Sequence, residues 1–234
     1  MKLDVALLPN DAKGINLCET VCIVLDIFRA TTSITTAMAN GCRAIIPVLS
    51  VEDARLAAEK VENALFAGER QSIRIDGFDF GNSPFEFSQE KVKDKTIIMT
   101  TTNGTVAIHA TSTAHRTLIG SFLNARAVCK QAKQYGKDVL IVCAGTDGFF
   151  SLEDALCAGF MVQLLQSEGD MLTDAAYGAS LMYTNAQGNL VETAAKSRNG
   201  KRLCDLNRMD DIENCFRVDA LQVVPQYVEG KICR

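Results

Sequence analysis

An apolar run at residues 21–26 (VCIVLD) ends on a carboxylate, and a guanidinium and two hydroxyls follow within six positions. Asp26 closes the run, Arg29 stands three residues later, and Thr31 and Thr32 come next. Because ligands of open α/β sheets bind beyond the carboxyl ends of the strands, this cluster predicts a polar binding site. The planar guanidinium of Arg29 suits phosphate, carboxylate or sulfonate. A structural ion pair and simple helix capping are the alternatives.

Two further apolar runs also end in polar residues. After the run at 95–100 comes TTNGT, which offers hydroxyls and free amides on an easy turn; its candidate donors are Thr102, Asn103, Gly104 and Thr105. The run at 137–145 carries Cys143 near its end, and the next predicted helix begins with Glu153 and Asp154. We expect all three strand ends to face one crevice. Turn formation and stabilisation of a helix dipole are the alternative explanations.

A long glycine-punctuated segment, GERQSIRIDGFDFGNSPFEF at 68–87, is predicted to be a loop. Arg70 and Arg74 supply cations for an anionic ligand, and Asn82 and Ser83 supply uncharged polar groups. An Ω-loop without a ligand role is the alternative.

Acidic residues recur in these breaks, and they would repel one another unless a cation lay between them. Hard oxygen ligands suit Mg²⁺, which commonly also binds substrate phosphates. The candidate metal ligands are Asp26, Glu69, Asp79, Glu153 and Asp154.

The composition excludes several kinds of partner. The chain has 234 residues and a net charge of −4, and its basic residues are scattered, so we expect no nucleic-acid surface. No apolar stretch approaches the roughly 20 residues that cross a bilayer, and the start does not resemble a signal peptide, so we expect a cytoplasmic protein. Nine cysteines without regular spacing are typical of reduced thiols. Because the chain has only two histidines, we expect no structural zinc site. A homodimer is compatible with these features.

Apolar strands alternate with helical patterns along most of the chain, which predicts an α/β fold. The predicted strands cover 21–26, 43–48, 95–100, 116–122 and 137–145, and the predicted helices cover 32–40, 51–65, 105–113, 124–134, 151–167 and 172–184. Residues 186–211 show no clear element, and the C-terminal segment could add an edge strand. We predict one domain over 1–234 with three α/β/α layers around a largely parallel or mixed sheet, which could be bilobed.

Several phosphoryl-transfer motifs are missing. No cysteine is followed six positions later by arginine, and Phe28 stands where a second aspartate would follow Asp26 in a haloacid-dehalogenase pair. There is no P-loop and no GxGxxG.

Four motifs in order resemble the 2-phosphosulfolactate phosphatase family. They are LDIFRATTSI at 25–34, GERQSIRIDGFDFGNSP at 68–84, TTNGT at 101–105 and CAGTDGFFSLED at 143–154. KSRNGKRL, DDIENCFRVD and VVPQYVEGKI resemble that family's C-terminal part. The resemblance implies a Mg²⁺-dependent phosphatase that converts (2R)-phospho-3-sulfolactate to sulfolactate and phosphate, a step toward coenzyme M. Gln71-Ser72 stands where that family is expected to carry a glycine.

The sequence leaves the nucleophile open. A metal-activated water is the first hypothesis, Asp26 as a covalent nucleophile the second, and Cys143 the third. A phosphatase for another phosphorylated hydroxy acid and a phosphate sensor without turnover are the alternative functions.

Overall fold

Eleven strands form the sheet of the computed structural model, which describes residues 1–234. Their β-branched and apolar residues fit a surface that is buried on both faces. In chain order they are β1 (Lys2–Ala6), β2 (Thr20–Leu25), β3 (Ala44–Pro47), β4 (Leu65–Arg70), β5 (Ile73–Arg74), β6 (Thr96–Thr100), β7 (Arg116–Gly120), β8 (Asp138–Cys143), β9 (Met171–Leu172), β10 (Gln226–Val228) and β11 (Lys231–Cys233).

The sheet is mixed and consists of two parallel sets. Its order is β5-β4-β6-β3-β11-β10-β7-β2-β8-β1-β9. Strands β4, β6 and β3 are parallel to one another, as are β7, β2, β8, β1 and β9. The C-terminal hairpin β10–β11 joins the sets through three antiparallel pairings in series, which reverse the strand direction between them.

Ten helices accompany the strands. They are α1 (Ala30–Ala39), α2 (Val51–Ala58), α3 (Gln89–Val92), α4 (Gly104–Ala110), α5 (Ala125–Gln134), α6 (Leu152–Leu165), α7 (Asp174–Ala186), α8 (Leu190–Ala195), α9 (Arg198–Asp205) and α10 (Met209–Cys215). None of them is both long and apolar enough to cross a membrane.

The core lies on both faces of the central strands, as the three-layer prediction requires. Ile23 and Leu25 of β2 pack in the larger apolar cluster with residues of α5 and α6. Val24, which points to the opposite face, packs in the second cluster with Ile34 of α1. The alternation follows from the period of two along a strand. The predicted α/β fold with three layers is therefore confirmed.

The strongest apolar runs became strands where they were predicted, but three regions differ from the prediction. Helix α2 ends at Ala58 rather than residue 65, because Leu65–Arg70 forms β4 beside β6. The stretch 186–211, which showed no clear pattern, contains α8, α9 and the start of α10. Strand β1 was also not predicted, although it pairs with β8 along its length.

Candidate active site

Asp154 joins the ends of the two central strands. Its Oδ1 accepts a hydrogen bond from the amide of Ile27 at 2.8 Å, and its Oδ2 accepts one from the amide of Gly145 at 3.1 Å. Ile27 follows β2 and Gly145 follows β8. The prediction that Asp26 and Asp154 lie at one place, although 128 positions separate them in the sequence, agrees with this geometry.

The hydroxyls after β2 hold the main chain around Asp26. Thr31 Oγ1 accepts from the Asp26 amide and donates to the Asp26 carbonyl, both at 3.0 Å. Thr32 Oγ1 donates to the Ile27 carbonyl at 3.1 Å, and both threonines are fully buried. We expected these hydroxyls to belong to the binding site; the structure shows them bonded to the main chain at the end of β2. Helix α1 begins directly after Arg29, earlier than the predicted start at residue 32.

Asp26 keeps one carboxylate oxygen free of hydrogen bonds. Its Oδ1 accepts a long bond of 3.3 Å from the Ala30 amide, and its Oδ2 has no partner. A Cβ at Gly104 would lie 2.7 Å from that Oδ2 and 2.6 Å from the Ala30 side chain, which is closer than real Cβ atoms come. Gly104 therefore lets the turn after β6 approach Asp26. The side chains of Thr105 and Thr101 bond to each other's main chain and close this turn.

Glu69 connects the β4–β5 hairpin to the same turn. Its Oε2 accepts from the Ser72 amide at 2.7 Å, and its Oε1 accepts from the Thr102 amide at 2.9 Å. Gln71 and Ser72 form the hairpin turn with φ of 53° and 66°, a left-handed conformation that favours glycine. Gln71 and Ser72 thus adopt the left-handed backbone conformation that suits the expected glycine, although both residues carry side chains.

Four carboxylates are buried together at this point: Asp26, Glu69, Glu153 and Asp154. Burial raises the pKa of Asp26 to about 7, and the charges of Glu69 and Glu153 contribute to the shift. Burial and the charges of Glu153 and Asp26 raise the pKa of Asp154 well above its usual range. Burial also raises the pKa of Glu153. A cluster of acids that resist ionisation is typical of a functional site or of a site that binds a cation.

The acids fit a magnesium ion in part. No three acidic, histidine or cysteine side chains converge to form a complete ligand set. Mg²⁺, however, is commonly held by one or two carboxylates together with water and substrate phosphate. The oxygens free to do so are Asp26 Oδ2 and Glu153 Oε2, the latter buried without any hydrogen-bond partner. Asp154 and Glu69 already use both oxygens on main-chain amides.

Two predicted site residues lie outside this arrangement. The Asp79 side chain is exposed and accepts from the Phe66 amide at 2.7 Å, and it is not among the charges that act on Asp26. Cys143 is buried in the large apolar cluster, and burial raises the pKa of its thiol well above the usual range. Burial of this kind favours the protonated, unreactive thiol, which supports a core role for Cys143 rather than that of a nucleophile.

A cleft of about 520 Å³ is lined in part by Arg29, whose positive charge opposes the rise in the pKa of Asp26. The residues that line the cleft are Arg29, Ser72, Ile73, Arg74, Gly81, Asn82, Glu86, Leu206 and Arg208. Arg29 is 3% exposed; its Nη2 donates to the Ser72 carbonyl at 3.1 Å. Arg74 and Arg208 are exposed on the surface of the cleft. Asn82 is buried, and its Oδ1 has no partner.

Asp211 holds Arg29 in place, and it was not predicted as a site residue. Its Oδ2 accepts from Arg29 Nη1 at 2.6 Å, and its Oδ1 accepts from Ser83 Oγ at 2.5 Å. Both charged side chains of the pair are nearly inaccessible. Ser83, which we expected to bind substrate, therefore connects the 82–86 segment to α10. DDIENCFRVD contained this residue only as part of a motif, because its partner lies 182 positions away.

The other predicted donors lie on a different side of the turn after β6. Thr102 and Asn103 line a second cleft of about 220 Å³, which does not include Arg29 or Arg74. Asn103 Oδ1 accepts from the Asp147 amide at 3.1 Å, while Thr102 Oγ1 is buried without a partner. Arg70 lines neither cleft; its guanidinium bonds to the Glu69 carbonyl and to Thr100.

Buried carboxylates at the strand ends and a cleft that carries three guanidiniums are the features expected of a site for a small anion in an α/β protein. Residues 7–230 match the family described as 2-phosphosulpholactate phosphatase. The chain is 40% identical over 235 residues to a probable 2-phosphosulfolactate phosphatase of Clostridium acetobutylicum, covering 99% of this chain and 100% of the relative. It is 37% identical over 236 residues to a protein of the same description from Clostridium novyi, with full coverage of both chains.

The chain therefore belongs to the 2-phosphosulfolactate phosphatase family, as its motifs predicted. It is a hydrolase of phosphoric monoesters.

Proposed function

We propose that this protein hydrolyses (2R)-phospho-3-sulfolactate to 3-sulfolactate and phosphate and that Mg²⁺ assists the reaction. The substrate is a small polyanion with a phosphate, a carboxylate and a sulfonate. A protein of net charge −4 needs locally placed cations to bind it. The cleft with Arg29, Arg74 and Arg208 supplies them.

One observation carries the proposal: Arg29 is linked to the acid Glu69 through Ser72, whose carbonyl accepts from Arg29 and whose amide donates to Glu69. The Arg29 guanidinium lines the cleft, and its charge acts on Asp26 among the buried acids. We propose that a phosphate held at Arg29 reaches the free oxygen of Asp26, which lies three residues earlier in the chain. Such positioned charge is the main source of catalysis in phosphoryl transfer.

In this proposal, Asp26 and Glu153 hold Mg²⁺. They fit because each has an oxygen without a hydrogen-bond partner and because the crowded acids need a counter-charge. The bound ion would supply charge neutralisation at the phosphoryl oxygens. Glu69 and Asp154 fix the surrounding amides, so the acids stay in place before substrate binds.

We propose water as the nucleophile, with direct attack by Asp26 as the second hypothesis. A rapid-quench experiment with substrate labelled in the phosphate distinguishes them. Attack by water leaves no label on the protein, whereas attack by Asp26 leaves an acyl phosphate that hydroxylamine cleaves.

The decisive assay is phosphate release by the purified protein with Mg²⁺ and with EDTA. The panel contains phosphosulfolactate, 2-phospholactate and 3-phosphoglycerate. We expect the highest kcat/KM with phosphosulfolactate and loss of activity in EDTA. Release from a non-sulfonated ester alone would assign the protein to another phosphorylated hydroxy acid, and binding without release from any of them would favour a phosphate sensor. Full activity in EDTA would contradict the role of the metal.

The roles of Arg70 and of the 101–105 turn in substrate binding stay predictions, as do a cytoplasmic location, a homodimer and a link to coenzyme M.

A further inference from the structure

The three guanidiniums of the cleft differ in how far their charge is already balanced. Arg29 is buried and paired with Asp211 at 2.6 Å. Arg74 is exposed and makes only a weak contact of 3.5 Å with the Asp79 carbonyl. The exposed Arg208 side chain forms no hydrogen bond and no ion pair. The free positive charge of the cleft therefore lies at its accessible part.

The single carboxylate that lines the cleft does not balance these charges. Glu86 accepts from the amides of Gly81 at 2.8 Å and Ser83 at 3.3 Å, and it forms no ion pair with an arginine. Two unpaired guanidiniums in one concave site are ready to bind two anionic groups in addition to one held at Arg29.

The connections of the two free arginines separate their roles. Arg74 belongs to the β4–β5 hairpin, whose turn residue Ser72 bonds both to Glu69 and to Arg29. Residues 206–208, with Leu206 and Arg208 on the cleft, form no hydrogen bond to the four buried acids. Arg74 is thus tied to the part of the site where the phosphate is expected, and Arg208 stands on another wall.

The proposed substrate has a matching order of charges. Its carboxylate is bonded to the carbon that carries the phosphate ester, and its sulfonate lies one carbon further away. The weakly hydrated, planar guanidinium is a good partner for a sulfonate. We propose that Arg208 binds the sulfonate and thereby sets the preference for a sulfonated phosphoester, an inference that rests on the proposed function.

Arg208→Gln tests this assignment with two substrates, phosphosulfolactate and 2-phospholactate, in which hydrogen replaces the sulfonate. A lost charge-assisted contact predicts that KM for phosphosulfolactate rises about 30-fold. We expect kcat to change little, because the sulfonate takes no part in the transferred group, and KM for 2-phospholactate to change less than about threefold, since Arg208 has no sulfonate to bind there. Arg208→Lys should recover part of the loss because it restores the charge.

The matched control is Arg55→Gln on α2, which removes an exposed, unpaired arginine outside the cleft. We expect its kinetics to match the wild type with both substrates. An equal rise of KM with both substrates in Arg208→Gln would assign Arg208 to the carboxylate or phosphate and overturn the proposal. An unchanged KM with both would overturn it as well.

Calorimetry separates this inference from the proposed function. It measures the binding of 3-sulfolactate and, as the control ligand without a sulfonate, of lactate. If the wild type hydrolysed neither ester, the proposed function would fail. The sulfonate site would still be supported by wild-type binding of 3-sulfolactate that Arg208→Gln weakens about 30-fold. Equal affinity of the wild type and the variant for 3-sulfolactate would overturn it.

Discussion

The acid cluster and the arginine cleft meet at Arg29 but are built in different ways. Five of the six carboxylate oxygens of Asp26, Glu69 and Asp154 accept hydrogen bonds from main-chain amides. In the cleft, Arg74 and Arg208 are exposed and lack acidic partners. A rigid, desolvated centre suits a reaction in which charge must be stabilised at fixed positions, and accessible cations suit capture and discrimination of the substrate. We therefore expect changes in the cluster to act on kcat and changes in the cleft to act on KM.

Asp26→Asn should have the largest effect on kcat of the substitutions that test this difference between cluster and cleft. The amide keeps the size of the side chain but removes the charge from the one cluster oxygen of Asp26 that has no partner. We expect kcat to fall about 1,000-fold or more, with retained folding, because the charge stabilisation and the proposed metal ligand are lost together. Steady-state kinetics and circular dichroism measure the two properties. A variant with near-normal kcat would show that Asp26 is only a structural residue.

The burial of Asp26 also predicts how the stability of the metal-free protein depends on pH. Since the fold raises its pKa from 3.8 to about 7, the neutral carboxyl is favoured in the folded state. This contribution is fully present below pH ~4 and is lost as the pH rises through ~7. Between pH 5 and pH 8, the free energy of unfolding should fall by about 3 kcal/mol on account of this group.

Urea denaturation in EDTA at the two pH values measures that loss. Asp26→Asn removes the titrating group, so its loss of stability over the same range should be smaller than that of the wild type. Added Mg²⁺ should reduce the loss in the wild type, because a bound cation stabilises the ionised form. Identical pH dependence of the wild type and Asp26→Asn in EDTA would argue against a buried, strained carboxylate at this position.

Asp211→Asn tests whether the connection between cluster and cleft matters for activity. The amide can still accept from Ser83, but the buried guanidinium of Arg29 loses its charged partner. We expect kcat/KM to fall about 100-fold, since an uncompensated buried charge relaxes toward a new position. Asp219→Asn is the matched control: it removes the charged partner of Arg126, whose side chain is 66% exposed, and keeps an amide oxygen that can accept from the Arg126 main chain. Because the Arg126 guanidinium stays solvated, the control should keep its kcat/KM.

Equal losses in Asp211→Asn and Asp219→Asn would mean that the buried pair has no particular role. Loss of stability without a change in kcat/KM of the folded fraction would make Asp211 a structural residue rather than a positioning residue.

The acid cluster could be predicted from the sequence more completely than the cleft. Strands β2, β6 and β8 are strong apolar runs, and the prediction that polar residues at their ends meet agrees with the bond from the Ile27 amide to Asp154 and with the approach of Gly104 to Asp26. Pairings over long sequence distances are not encoded locally. Asp211 and Arg208 come from the last third, where short helices with few apolar residues gave no periodic signal.

Two other differences have local causes. The sequence could not show that the hydroxyls of Thr31 and Thr32 would donate to main-chain carbonyls at the end of β2. The same pattern of residues can donate to a ligand or to a backbone carbonyl. Strand β4 was not predicted because its first residue, Leu65, continues the apolar spacing of the preceding helix. Pairing with β6 favours the strand over a longer helix.

The turn between β4 and β5 provides the smallest and most specific test of the rigid part of the site. Gln71 has φ of 53°, and glycine adopts this conformation without the steric cost that a Cβ brings. The side chain of Gln71 is exposed, and the contacts of this turn with Glu69 and Arg29 are made by the main chain of Ser72. Gln71→Gly should therefore change the free energy of unfolding by less than about 1 kcal/mol and preserve the hydrogen bonds of the turn.

If those main-chain contacts position the hairpin, kcat and KM of Gln71→Gly for the phosphoester should stay within about twofold of the wild type, because neither contact depends on the Gln71 side chain. A large rise in KM alone would instead assign the Gln71 side chain to the accessible part of the site. A large fall in kcat would show that the stiffness of this turn, rather than its hydrogen bonds, keeps Glu69 and Arg29 in place.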